Sequence, residues 1–489
     1  MKLHFFEEPE LEFGRGSHID IRFGLMQHGP LDYDTSLAPK KIRVGIVGTN
    51  ETISGVCAWL EKCRSEISPK DSKKPNLFPY FPGFNPEDSF QSELVFDSSL
   101  QRPLPPANLK RLLQNSAPNQ IVREAVELYL NDLRYLAENT NADVLLCAHP
   151  TELLDKIENA ESMANVETSQ TSPDDDDGPV HGERLVFHDM LKAEAMSQVR
   201  KPLQIIRPTT WDEKARRQQK RKANRIQSLQ DEATRAWNIH TALYYKAGGV
   251  PWRLIRDPAL LTTCYVGISF YVSLDKETVM TSMAQVFNQR GEGVIVRGGA
   301  AQISKEDRQI HLKRSDACTL LRNALGRYRD EHRTLPARVV LHKTSSFNTE
   351  EIAGFNEALD EKGIDYHDFV SISTSQTRIF RHGTYAPLRG TMLSLSDKQH
   401  LLYSKGSVDF WQTYPGLYIP NPRLIRCDET TESPSFLAQE IMALTKMNWN
   451  NTQFDGALPI TLRAARQVGL ILRYIPEGGH IEPQYRYYM

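Results

Sequence analysis

The residues best placed to do chemistry lie between positions 187 and 249. His188 and Lys192 stand four apart in a stretch with helical spacing, so they share one helix face. Gln204 follows twelve residues after Lys192, in a short strand running from Pro202 to Ile206. Lys246 closes a later helix and is followed by Ala247, Gly248 and Gly249, a stop that lets a ligand approach the backbone. A histidine ring, two ammonium groups and an amide could converge there on a terminal phosphate through charge-assisted hydrogen bonds. On spacing alone the same residues also read as a surface lysine, a satisfied core histidine and a polar strand edge.

A second feature lies between them. Lys214, Arg216, Arg217, Lys220, Arg221, Lys222 and Arg225 fall within twelve residues. The excess of basic over acidic side chains favours a contact with a nucleic-acid backbone or a partner, through Arg207, Lys214, Arg217 and Arg221, over a merely solvated helix. Gly45 and Gly48 with Gly55 suggest a nucleotide loop, but G-K-[ST] and G-x-G-x-x-G are both missing. They read as a strand ending in a turn.

These residues need a scaffold, and the sequence describes one. Lys41 to Val47 is a buried strand, followed by helical spacing from Ile53 to Ile67. Ile121 to Leu136 is an amphipathic helix, and Ala142 to Ala148 a strand ending in His149-Pro150. Strand, helix, strand at this spacing predicts a parallel, Rossmann-like sheet. Residues 157 to 183 interrupt the pattern, and the acidic stretch 165–182, with Asp174 to Asp177, reads as a surface loop. A helix from Leu185 to Val199 and another from Gln230 to Tyr245 carry the phosphate-binding candidates. The second half opens with a strand, Thr263 to Ser273, and meander strands at Gln285 to Phe287 and Gly293 to Arg297. A helix capped by Ser315, a buried strand Ala337 to Lys343, a helix Thr349 to Leu359 and a final helix Pro459 to Tyr474 follow. That is the order of ribonuclease-H-like domains. The fold class is α/β throughout.

Composition sets the outer limits. The 489 residues are enough for two or three domains with real cores, and 40% hydrophobic with 25% charged residues is ordinary for a globular protein. A net charge of −2 means that any nucleic-acid surface is a local patch. Six scattered cysteines with no C-x-x-C fit reduced thiols rather than disulfides or zinc. The acidic amino-terminal residues Glu7, Glu8 and Glu10 do not suit a signal peptide, and no apolar run reaches the ~18 residues of a membrane span. The expected location is cytoplasmic.

The order H-x-x-x-K, then Q-x-x-R, then K-A-G-G resembles the guide 5′-end pocket of Argonaute MID domains. The surrounding text agrees: Phe187-His-Asp189, Gln204-Ile-Ile-Arg207 and Ala242 to Leu254. Glu8 to Phe13, Arg22 to Pro30 and Leu458 to Gly469 are similar to short prokaryotic Argonautes in particular. The resemblance implies that His188, Lys192, Gln204 and Lys246 hold the guide phosphate. A further pocket lysine of some relatives falls at Ala242 and is missing. It also implies an Mg²⁺ ion between that phosphate, Gln204 and the terminal carboxylate of Met489, a hard-oxygen ligand set. The expected domains are an amino-terminal segment (1–37) packed on PIWI, MID (38–257) and PIWI (258–489), with no N-terminal or PAZ domain ahead of MID.

Active PIWI domains cut with carboxylates that hold two metal ions. In this resemblance the first aspartate position is Ser269, in Val266-Gly-Ile-Ser269, and the second is Thr344, in Lys343-Thr-Ser345. The last falls near Ile475, and Glu292 alone could mimic the mobile glutamate. Cleavage is therefore not expected. The resemblance implies a guide RNA, a complementary DNA target and a separate APAZ chain bearing a TIR, sirtuin-like or nuclease effector, with assembly into higher oligomers on activation and a role in defence against plasmids or phage. A self-standing nuclease would need carboxylates that these positions lack. A nucleotide-binding enzyme would need a phosphate loop, and a structural subunit would need no pocket at all.

Overall fold

The computed structural model describes residues 1–163, 185–222, 230–255, 257–274, 278–287, 293–382, 386–416, 419–453 and 456–489. The acidic stretch 165–182 and Glu292 lie outside the described residues, as do residues 223–229 beyond the basic helix.

The chain opens with β1 (Lys2–Phe5), β2 (Leu11–Phe13), β3 (Gly16–His18) and α1 (Ile21–His28). This opening touches both halves of the molecule. Glu8 accepts from Arg389 at 2.8 Å in the second half, whereas Asp32 accepts from Tyr244 Oη at 2.6 Å and Val250 N at 2.9 Å in the first.

The first lobe is built on β4 (Lys41–Gly48), whose apolar run is buried on both faces, as a strand inside a parallel sheet must be. It continues through α2 (Asn50–Lys62), β5 (Glu93–Val95), β6 (Gln101–Pro103), α3 (Pro106–Gln114) and α4 (Pro118–Asn139) to β7 (Val144–Ala148). Next come α5 (Thr151–Met163), α6 (Phe187–Gln198), β8 (Leu203–Ile206), α7 (Pro208–Trp211), α8 (Glu213–Lys222) and α9 (Glu232–Lys246). β5, β4, β7 and β8 pair in that order, β6 also pairs β4, and every pairing is parallel. This is the Rossmann-like sheet expected from the sequence. The interruption placed at 157 is corrected: α5 carries helix to Met163. The glycines near β4 are structural. An ideal Cβ on Gly55 would lie 2.2 Å from the Trp211 ring, and one on Gly48 would lie 2.7 Å from the Ala148 carbonyl.

After β9 (Arg253–Leu254), which pairs β2, the second lobe begins with β10 (Thr263–Val272), buried at all ten positions. It adds β11 (Val279–Phe287), β12 (Gly293–Ile303), β13 (Ile310–His311), α10 (Arg314–His332), β14 (Arg338–Lys343), α11 (Thr349–Asp360) and β15 (Tyr366–Thr374). β16 (Thr391–Ser394), β17 (Gln399–Leu402), β18 (Arg423–Thr430), α12 (Pro434–Leu444) and α13 (Ile460–Leu472) complete it. The ten-stranded sheet runs β1-β16-β17-β18-β15-β14-β10-β11-β12-β13. β10 to β12 form an antiparallel meander, while β14 lies parallel to both β10 and β15. That is ribonuclease-H-like topology. Ser315 does not cap α10; the N-cap is Lys313, two residues earlier. Gly267 has a plain purpose: an ideal Cβ there would meet the Thr461 carbonyl oxygen at 2.1 Å, so only glycine lets α13 lie on β10.

Candidate functional sites

Ligands of open parallel sheets collect at the carboxyl ends of the strands. Here a cavity of about 720 Å³ opens beyond β7 and β8, walled by the amino-terminal turn of α6 and by the second lobe. His188 and Lys192 of α6, Gln204 of β8, Arg207 and Met489 line it together. The α6 amino terminus also faces it, and helix N–H groups favour an anion.

Lys192 is 2% exposed and Lys246 1%, and neither forms an ion pair among the described residues. Burial pulls the Lys192 ammonium down to about 7, opposed only in part by Asp189 and Cys147. Burial, then Lys192, pushes Lys246 far below the usual lysine range. Lys246 sits one layer behind the wall. Its Nζ donates to Gln204 Oε1 at 2.6 Å and to Asn450 Oδ1 at 3.4 Å, so it reaches the cavity through the amide. His188 Nδ1 lies 2.7 Å from Asp189 Oδ1, yet burial and then Lys192 keep the ring below its ordinary value. Two buried lysines, only partly offset by the Asp189 carboxylate, form a site poised to gain from an anion.

The basic-helix residues divide. Arg207 is exposed at the rim and pairs with Glu158 Oε1 at 3.3 Å. Lys214 and Arg217 are exposed on α8 and do not line the cavity, and the side chain of Arg221 lies outside the described residues. Arg216 and Arg235 line it instead. The sequence reading also missed His149 and Asn450. His149 ends β7 at the sheet's carboxyl edge, a signal that topology could have supplied. Asn450 arrives from the second lobe and carries no local signal.

The tail is anchored in the same place. Tyr488 is fully buried with its hydroxyl donating to the Glu482 carbonyl at 2.9 Å, and Met489 is 6% exposed. Tyr474, just past α13, accepts the Val186 amide at 2.8 Å and ties the lobes beside the cavity.

The second site is a cleft of about 370 Å³ at the carboxyl edge of the ten-stranded sheet. Register sets Ile268 opposite Lys343, so Ser269 and Thr344 emerge side by side, and both line the cleft. Ile475 does not join them. It is packed in the hydrophobic core, and its carbonyl accepts from Arg297 at 2.6 Å. The residue that α13 presents to the cleft is Arg466. No aspartate or glutamate is among the described residues lining it. The one grouping of acidic and thiol side chains close enough to share a metal, among the described residues, is Cys318 on α10 with Glu357 and Glu361 on and just past α11, and none of the three lines either site.

No protein-family model matches the sequence, and no curated protein matches it either. Solved structures do. Clostridium butyricum Argonaute, determined with a guide DNA and a 19-mer target DNA, superposes with a TM-score of 0.62 at 15% identity, over 98% of this chain and 54% of that one. Drosophila Piwi gives 0.55 at 13% identity, over 100% of this chain and 56% of its own. The fold is thus Argonaute-like, a Rossmann-like MID domain joined to a ribonuclease-H-like PIWI domain. The chain spans about half the length of these neighbours.

Proposed function

We propose that this chain is a cleavage-inactive Argonaute that holds a guide RNA by its 5′-phosphate and recognises complementary single-stranded DNA. It passes that event, in the cytoplasm, to a separate APAZ chain bearing a TIR or sirtuin-like effector, in defence against plasmids or phage. The carrying observation is buried Lys192, lining one cavity with His188 and Gln204, and buried Lys246 standing behind Gln204 at 2.6 Å. A phosphate would restore full charge to both ammonium groups and take a proton-bearing His188 Nε2 as a donor. Gln204 and Met489 share the cavity wall and offer oxygen ligands, which fits Mg²⁺ when the phosphate supplies others. That ion would neutralise charge at the guide end. Hydroxyls at Ser269 and Thr344 support binding without cutting, because they cannot hold two metals as carboxylates do. The first neighbour carries a guide DNA, which makes a DNA guide the second reading. The effector could equally be a nuclease.

The test compares RNA and DNA 25-mers with 5′-phosphate or 5′-hydroxyl ends, with and without EDTA, against the wild type and Lys192→Met/Lys246→Met. Each charged hydrogen bond lost costs roughly 1.5–3 kcal/mol. A tenfold or larger 5′-phosphate preference in the wild type, absent from the variant, is expected. A wild type indifferent to the phosphate would overturn the guide reading and leave a structural subunit.

A further inference from the structure

Past the end of β15 the chain leaves the ten-stranded sheet at the edge where β14 also ends, because the two strands run parallel. Ser373 and Leu424, paired near the ends of β15 and β18, line the cleft that holds Ser269 and Thr344. The loop that follows carries Phe380, whose ring is 80% exposed. A lone exposed apolar side chain is ordinary on a surface, so its neighbours decide its meaning. Arg378 and Arg381 flank it, and Gln376, Thr377 and His382 beside them are exposed and polar. Ile419, two residues before Asn421, adds a smaller apolar surface on the adjoining loop.

Hydrogen bonds brace this loop on both sides of the ring. The Ser375 amide donates to the Pro422 carbonyl at 3.0 Å, and the Thr377 amide to Ser375 Oγ at 3.2 Å. The buried Tyr403 hydroxyl accepts the Ile379 amide at 2.7 Å and donates to the Ile379 carbonyl at 3.2 Å. Arg378 Nε donates to Asn421 Oδ1 at 2.7 Å, and Arg381 Nε to the Ala386 carbonyl at 3.1 Å. Those acceptors are neutral, so they orient the guanidinium groups without cancelling their charge. Neither arginine pairs with a carboxylate among the described residues. From Phe369 to Cys427 the acidic residues are Asp397 and Asp409 alone. Asp397 lies in the turn between β16 and β17, at the end of those strands opposite Tyr403. Asp409 begins a helical turn whose Phe410 carbonyl accepts from Asn76 of the first lobe at 2.8 Å. Two other arginines of this stretch have acidic neighbours: Arg389 meets Glu8 at 2.8 Å, and Arg426 comes within 3.9 Å of Asp428. The charge offered beside the ring is that of Arg378 and Arg381.

We infer that Phe380 is a stacking platform for one unpaired base of a bound nucleic-acid strand, with Arg378 and Arg381 on the phosphates that flank that base. Every base has a π face, so stacking holds a strand without reading its sequence, and arginine adds phosphate bonds and cation–π contact. A ring fixed on a braced loop has little freedom left to lose on binding. A protein partner would call for a wider apolar patch than the polar side chains around this ring provide. The loop also leaves the sheet at its carboxyl edge, where open α/β sheets gather ligands. The inference deepens the guide–target reading above and rests on it.

The experiment loads the full chain with labelled guide, measures occupancy, and titrates complementary DNA while a single abasic site is moved stepwise along guide and target. At one position the abasic site should cost the wild type about tenfold more affinity than it costs Phe380→Ala, whichever base stood there. Phe380→Trp should keep that sensitivity. Arg378→Gln/Arg381→Gln should keep it too, while lowering the slope of log K against log salt by roughly 0.7–1.4, one or two phosphate contacts. Guide loading should be unchanged in all three variants. Abasic profiles identical in the wild type and Phe380→Ala overturn the platform, as does a Phe380→Ala effect confined to capture of a protein chain. If no guide loads, the guide reading has failed, and the platform is tested by itself on single-stranded oligothymidylate. Phe380→Ala should then bind about tenfold more weakly than the wild type, and equal affinities refute it.

Discussion

Raising the pH should weaken the grip on a 5′-phosphate, and Lys192 sets how steeply. In the free protein its ammonium titrates at about 7, because burial outweighs Asp189 and Cys147. A dianionic phosphate binds the charged form, so binding above pH 7 must draw in a proton. If the protonated form alone binds, half the molecules are competent at pH 7 and about one in a hundred at pH 9. The ratio of 5′-phosphate to 5′-hydroxyl affinity should therefore fall about fiftyfold over those two units, a slope approaching −1. Proton uptake at Lys246, also displaced far downward, would steepen it. Below about pH 6 the phosphate loses its second charge, so the preference should peak between roughly pH 6 and 7. Fluorescence anisotropy of the two RNAs across pH 6–9 reads the ratio, and calorimetry in buffers of different ionisation enthalpy reads the proton.

The same lysine has the opposite effect on the stability of the unliganded protein. Its folded pKa lies below the unfolded value of about 10.4, so between pH 7 and 10 the unfolded chain holds the extra proton. Stability should rise with pH through that window, by up to about 1.4 kcal/mol per unit, and a 5′-phosphorylated guide should stabilise more at pH 7 than at pH 9. Lys192→Met should remove the Lys192 share of both dependences and leave the part carried by Lys246. A phosphate preference that stays flat from pH 7 to 9, or a proton released on binding, would refute the argument.

Gln204→Leu removes the acceptor 2.6 Å from the buried Lys246 and should destabilise the protein by about 1–3 kcal/mol in urea unfolding. Adding Lys246→Met should restore most of it; an additive double mutant would show the pair is not coupled. Gly267→Ala forces a Cβ against the Thr461 carbonyl and should cost about 1–3 kcal/mol or more by displacing α13. Unchanged unfolding would contradict that packing.

What could be read from the sequence was what local physics writes there. Parallel-strand cores appear as unbroken apolar runs, as in Val144–Ala148, and a shared helix face appears as the spacing of His188 and Lys192. Convergence across lobes leaves no such trace, so Asn450 beside Lys246 was invisible, and so was Lys246 standing behind Gln204 rather than on the wall. The place of Ile475, in the core rather than at the cleft, is the more instructive difference. The resemblance put a position near Ile475, in or after the last helix, but a helix presents to a cleft whichever residue its docking dictates. Here the docking is set by Gly267, where the backbone of Thr461 comes down on β10. That contact fixes the rotation of α13 and turns Arg466 toward Ser269 and Thr344. Gly267, two residues before Ser269, was in plain view. Its meaning is a close approach by a helix almost two hundred residues away, which becomes legible only once the sheet is built.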